Sequence, residues 1–310
     1  MSLKSLRAAC AAALLLFAAH PAVAGTLGIA GDYNGFIFNN LNASGGDTEG
    51  RLAVGNNFTA SSYGVGVQLT NSHGTRTDLV VGNNMNAAGA WQVFNGNAVY
   101  GTTLTAAPTT PNGTTFQGTP VDFAAAQADL QAKSAYWATL PANGTSVFQF
   151  STLTLNGTDP TLNIFQVAAS DWTSSSDKQI HIPSGSTAII NIAGTSLTFG
   201  GGLAINGDSS QSNPAETGVI YNFPTATSVT PSHIAVLGSL LAPFATLTLD
   251  GGNVNGVGMA LNAVQQGGGE FHYHPFTGNV PDPPVTVPEP TTAALLFVVA
   301  FSSLLHRRGH

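Results

Sequence analysis

The chain has 310 residues, of which only 7% are charged, with 8 Lys and Arg against 15 Asp and Glu. So acidic and charge-poor a chain offers no basic patch for nucleic acid and no polybasic face for anionic lipid. Its single cysteine, Cys10, lies in the first segment described below, which excludes disulfides, thiol catalysis and cysteine-ligated metals from the rest.

The N-terminus pairs basic Lys4 and Arg7 with an apolar run, Ala8–Ala19, and ends in Ala22-Val23-Ala24. This is the pattern of a secretory signal peptide, residues 1–24, with cleavage expected after Ala24. The export route it implies needs the Sec translocon and signal peptidase as partners. Residues 25–279 then form one body, 280–286 a Pro-rich linker, and 287–310 a terminal tail. Between residues 25 and 286 there are four basic residues against fourteen acidic ones, a net of −10.

Within the body, short apolar runs alternate with Gly, Asn and Asp, the signature of strands and turns. Leu52-Ala53-Val54-Gly55-Asn56-Asn57 returns as Leu79-Val80-Val81-Gly82-Asn83-Asn84, with a weaker echo in Val93-Phe94-Asn95-Gly96-Asn97. Gly and Asn suit corners that need left-handed backbone. A strand and a corner recurring at this interval predict stacked coils. The fold expected is mainly β, a right-handed β-helix or solenoid with one flanking α-helix; a β-sandwich is the alternative. Runs such as Ala188–Ile192, apolar on both parities, favour the solenoid wall.

Asp122 can cap a helix over Phe123–Leu140, stopped by Pro141. Phe123, Ala126, Leu130 and Trp137 share one face, while Asp129 and Lys133 pair at i, i+4 on another. The amphipathic pattern predicts docking along the β-body.

The tail reads Val287-Pro288-Glu289-Pro290, then an apolar run Ala293–Leu305, then Arg307-Arg308. The apolar part falls short of the ~20 residues of a stable membrane span, and the arginines would stay cytoplasmic. In order and spacing it resembles the PEP-CTERM sorting signal processed by exosortase in Gram-negative bacteria. That resemblance implies a transient inner-membrane hold, cutting near Pro288-Glu289-Pro290, and release to the cell surface or matrix. A second resemblance rests on Asp32-Tyr33-Asn34-Gly35-Phe36-Ile37-Phe38-Asn39-Asn40 through Glu49-Gly50-Arg51-Leu52-Ala53-Val54-Gly55-Asn56, and on Leu237-Gly238-Ser239-Leu240-Leu241-Ala242-Pro243, Asn255-Gly256 and Glu270-Phe271-His272-Tyr273-His274-Pro275-Phe276-Thr277-Gly278. These stretches resemble the choice-of-anchor A domain of bacterial surface proteins, which implies an adhesive or matrix role and no assigned enzymatic activity.

Glu270, His272 and His274, at i, i+2 and i+4, could converge on one face of a strand and bind zinc; a structural end motif is the reading we favour. Asp208 and Asp250 at corners could hold calcium, with Asx turns as the simpler account. We expect no cofactor. The leading expectation is a non-enzymatic adhesin-like protein that touches exopolysaccharide or further copies of itself. The alternatives are a polysaccharide-active enzyme and, third, an ice-binding protein. Regular Thr-x-Thr ranks would mark the last; Thr152-x-Thr154 and Thr246-x-Thr248 exist but do not repeat in register.

Overall fold

The computed structural model describes residues 24–284. The body is a β-solenoid of stacked coils with parallel pairing, as the strand-and-corner pattern predicts. Each full coil contributes one strand segment to each of three faces, which we call the helix face, the ladder face and the third face; in two coils, Ser239–Asp250 and Gly258–Gln266, one strand serves both the helix and the ladder face.

The coils do not stack in sequence order. The N-terminal coil, with strands Gly35–Ile37 and Leu41–Ser44, lies mid-stack. Winding outward come the coils that begin with Leu52–Val54, Thr77–Val81 and Asn97–Tyr100. Residues 123–139 then carry the chain back along the body to the opposite end. From there it winds inward through strands Leu162–Ala168, Thr187–Ala193, Val219–Asn222, Ser239–Asp250 and Gly258–Gln266. The last of these closes on the first coil, with Gly35 opposite Gly258 and Leu41 opposite Ala263.

The first echo is real pairing, because Leu52 lies opposite Leu79 and Val54 opposite Val81. The expected further echo at Val93 is corrected. Val93 sits on the third face of its own coil, paired with Val65. The next equivalent unit is Ala98-Val99-Tyr100-Gly101, with Val99 opposite Val80. The reason given for the corners is corrected too. Gly55, Gly82 and Gly101 do not adopt positive φ. A Cβ on Gly82 would collide with the Gly55 carbonyl oxygen, and one on Gly101 with that of Gly82. Glycine is required there because successive coils touch backbone to backbone. The asparagines form ladders instead. Asn83 donates to Asn56 and Asn56 to Asn39, at 2.9 and 3.0 Å. In a second rank, Asn84 donates to Asn57 and Asn57 to Asn40, at 2.9 and 3.0 Å.

Helix α1 spans Phe123–Thr139, and the Asp122 side chain accepts from the Ala125 N–H as its N-cap. Its 17 residues make a rod of about 25 Å, enough for about five coil spacings of ~4.8 Å. It covers the outer side of the helix face. Phe36, Ala53, Val80, Ile189, Ile220, Leu241 and Met259 are buried beneath it. That cover explains the runs apolar on both parities: strands under α1 are buried on both sides. Uncovered strands alternate, as in Leu41–Ser44 and Ser196–Phe199. Lys133, expected on a different face from the apolar stripe, is buried with it. Its ammonium reaches Asp129 at 2.7 Å and Asp282 at 3.1 Å. A second, short helix, α2 (Ala169–Ser174), plugs the interior with Trp172, which packs on Phe199 and Tyr221.

The linker expected from Val280 starts later than that. Val280 and Pro281 pair antiparallel with Gly25 and Ala24, and Trp137 Nε1 donates to the Pro281 carbonyl at 2.8 Å. The dry backbone of 280–281 completes the layer beneath the C-terminal turns of α1.

Candidate surface-binding site

The ladder face is built from strands whose inward residues are apolar and fully buried: Leu197, Val229, Leu247, Ala263, Leu41, Phe58 and Met85. Alternation then fixes the outward residues. Register aligns them in rows. One row runs Ser196, Ser228, Thr246, Asn262. It continues through Asn40, whose N–H donates to Asn262, and then Asn57 and Asn84 to Thr103. Two residues along each strand, a second row runs Thr198, Thr230, Thr248, Val264, Asn42, Thr59, Asn86. Thr105 extends it by donating to Asn86 at 2.6 Å.

Both rows are free of charge. They repeat at ~4.8 Å across strands and about 6.6 Å along them, a two-dimensional grid of short polar groups broken only by Val264. The hydroxyls of Ser196, Thr198, Ser228, Thr230, Thr246, Thr248 and Thr59 have no hydrogen-bond partner among the described residues, so they face outward with donors and acceptors unspent. The asparagines beside them are locked by their ladders, which stiffens the grid.

Thr152-x-Thr154 and Thr246-x-Thr248 do not repeat in register, as expected, yet a rank exists, built mostly from Ser-x-Thr pairs. Ser196-x-Thr198, Ser228-x-Thr230 and Thr246-x-Thr248 are adjacent, in register, on successive coils. Their intervals along the sequence are unequal because each coil carries loops of its own length. A polar–apolar–polar triplet on each coil was the signal that could have found them. Thr152 and Thr154 lie elsewhere, on a third-face strand paired with Asp177–His181.

The zinc candidates separate. Glu270 and His272 meet on strand Glu270–His272, Nε2 to Oε2 at 3.2 Å, and Asn253 approaches His272 Nδ1 at 2.9 Å. His274 lies past the strand end and turns to buried Glu216, 2.6 Å from its Oε1. Burial pushes the Glu216 carboxyl up to about 7 and the His274 imidazole down, so both neutral forms are favoured. Among the described residues no three His, Cys, Asp or Glu side chains are grouped to hold a metal. Asp208 accepts from the Ser210 N–H at 2.8 Å in an Asx turn, and Asp250 accepts from Gln266. Carboxylates do gather on the third face. Asp47 is pushed up to about 6, first by burial and then by Glu270 and Glu49. Ala24 lies in the short strand beside Pro281. Pro288, Glu289, Pro290, Arg307 and Arg308 lie outside the described residues.

Three solved structures are similar to the chain. They are an ice-binding protein from the Antarctic ascomycete Antarctomyces psychrotrophicus (13% identity, 81% of this chain and 98% of that one, TM-score 0.39), an ice-binding protein from an Antarctic biological consortium (15%, 81% and 91%, 0.41), and a glycosylated ice-binding protein from an Arctic yeast (15%, 87% and 99%, 0.37). No curated protein matches the chain. Residues 26–273 match the family model described as "Putative Ice-binding-like adhesive domain", and the chain belongs to that ice-binding-like adhesive family.

Proposed function

We propose that this chain is an exported, non-enzymatic adhesive protein whose ladder face binds an extended, hydroxyl-bearing surface, with the exopolysaccharide matrix as its main target. One observation carries the reading: two uncharged rows of Ser, Thr and Asn, interrupted only at Val264, repeat in register across the coils. Each hydroxyl adds only about 1 kcal/mol net, so strength comes from many contacts made together on a rigid grid. Membership of an adhesive family supports the reading. In the same proposal, residues 1–24 direct export, and the tail with Pro288-Glu289-Pro290 and Arg307-Arg308 is a PEP-CTERM signal. Exosortase would cut that tail after a transient inner-membrane stage in a Gram-negative cell, and the body between is of the choice-of-anchor A kind.

A second reading, ice binding, is favoured by the Ser and Thr ranks on the coils of Ser196, Ser228 and Thr246, where the grid presents hydroxyls alone. The two targets separate in one experiment. The full chain and its Thr230→Tyr/Thr248→Tyr variant are tested for retention on insoluble neutral and acidic polysaccharides and for thermal hysteresis. The variant should lose about tenfold or more of its retention, because a bulky ring breaks contact across neighbouring coils. Its unfolding midpoint should stay within roughly the small range usual for surface changes. Retention unchanged in the variant removes the ladder face as the site. Hysteresis without polysaccharide retention selects ice.

A further inference from the structure

Residues 25–284 contain four Lys or Arg, and each has a definite place. Lys133 is buried on the inner side of α1 and Lys178 inside the coils. The two arginines, Arg51 and Arg76, line one and the same cleft of about 290 Å³, together with Asp32, Tyr33 and Tyr273. The cleft joins segments from opposite ends of the described chain, and it lies apart from the ladder rows.

Its polar groups are held in place. Arg51 stacks 4.3 Å from the centre of the Tyr33 ring and donates from Nε to the Thr77 carbonyl at 2.9 Å. Its Nη1 and Nη2 each make one further bond, to the Asp32 carbonyl and the Tyr33 hydroxyl. One N–H on each of those nitrogens is left over. Arg76 forks onto Asp78 and donates from Nη2 to the Thr70 carbonyl. Its Nη1 has no partner among the described residues. Tyr273 is 42% exposed, yet its backbone N–H is pinned by Glu49 at 2.7 Å and its ring lies against Gly50. An aromatic face held at a cleft mouth, beside fixed N–H donors, is a built surface rather than a loose one.

Charge and size narrow the ligand. The two guanidinium groups are balanced by Asp78, buried behind Arg76 and outside the cleft lining, and by Asp32 in the lining, with Glu49 behind Tyr273. An anion would gain no net attraction and would meet Asp32. A polyol ring suits both signs: its hydroxyls accept from the spare guanidinium N–H groups and donate to a carboxylate, while its C–H face lies on tyrosine. The volume lies near the lower bound of small-molecule sites, which fits one ring rather than a chain.

We propose that this cleft is a binding site for a single neutral sugar ring, stacked on Tyr273 and hydrogen-bonded by Arg51, Arg76 and Asp32. It acts independently of the ladder face: the rows would grip a surface, and the cleft would select one sugar unit.

The test is titration of the full chain with D-glucose, D-galactose, D-mannose, N-acetyl-D-glucosamine and D-glucuronate, read by calorimetry and saturation-transfer NMR. Tyr273→Leu keeps the packing on Gly50 without the aromatic face, and Asp32→Asn removes the carboxylate from an exposed position. Saturable binding of at least one neutral sugar, weakened about tenfold or more in each variant and unchanged in Thr230→Tyr/Thr248→Tyr, is the expected result. Disaccharides ending in the same sugar should bind as well; tighter binding than the monosaccharide would identify a glycan end as the source. No saturable neutral sugar, preference for glucuronate, binding unaffected by either cleft substitution, or loss in the ladder variant would each overturn the assignment. Because the ladder variant is the control, failure of the cleft and failure of the adhesive face give different results.

Discussion

Lys178 has an ammonium inside a coil. It is 1% exposed, donates to the carbonyls of Ser175 and Gly200, and lies 5.3 Å from the Trp172 ring. Burial pushes its pKa down from 10.5 to about 8, against a small opposing pull from Asp177. From about pH 8 to 10 the unfolded chain keeps a proton that the folded chain has released. Stability should therefore rise with pH across that window. Above it, the buried hydroxyls of Tyr63 and Tyr221, pushed upward by burial, oppose the trend. Urea denaturation from pH 7 to 10 should show the rise in the parent and not in Lys178→Met; a flat parent profile contradicts it. The sequence could not reveal this lysine. On an open strand it would be a surface charge, and only the coil geometry turns it inward.

At the scale of strands and corners, the tightest constraint is where one coil touches the next. Gly82→Ala drives a methyl group into the Gly55 carbonyl and should cost about 2–3 kcal/mol or more. Gly185 has φ +77° with nothing within 4 Å of its absent Cβ, so Gly185→Ala should cost only about 1 kcal/mol of backbone strain. Chemical denaturation of the pair separates stacking from conformation, and equal losses would refute the account. Several elements were legible from residues alone. Helix α1 begins where Asp122 caps it and ends one residue before the expected Leu140. The repeat of Leu52–Asn57 at Leu79–Asn84 marked two adjacent coils. The burial of Lys133 was not legible, because Asp282 and the α1 groove supply its environment from far along the chain.

For the molecule as a whole, the decisive contact is the one that closes the stack. Gly35–Ile37 pairs with Gly258–Ala260, partners from opposite ends of the described chain, so no local period could have announced it. Equivalent positions on adjacent coils are unevenly spaced in the sequence: Gly35 meets Leu52 across a short coil, whereas Ile189 meets Ile220 across a much longer one. That irregularity also hid the hydroxyl rows. The closing contact spans all three faces, with Phe36 on Met259, Leu41 on Ala263 and Thr48 on Phe271. Helix α1 bridges it as well, since Phe123 packs 5.3 Å from Phe36. A protease site placed between exposed Thr119 and Pro120 should therefore cut the chain without separating the halves. The cut protein should elute at its original size and come apart only in denaturant; dissociation on cutting would show the closure to be weak.

Both described chain ends leave from the side of the body that carries α1, beside Lys133 and Trp137. A pull applied beyond Pro284 enters through Asp282 and Pro281 and loads the Lys133 ion pair, the Trp137 indole and the two-residue pairing with Ala24 and Gly25. The hydroxyl rows lie on the ladder face, although strands Ser239–Asp250 and Gly258–Gln266, which carry part of them, also run beneath α1. A pull on that end therefore loads the α1 flank first, while the outward Ser, Thr and Asn rows lie on another face of the coils.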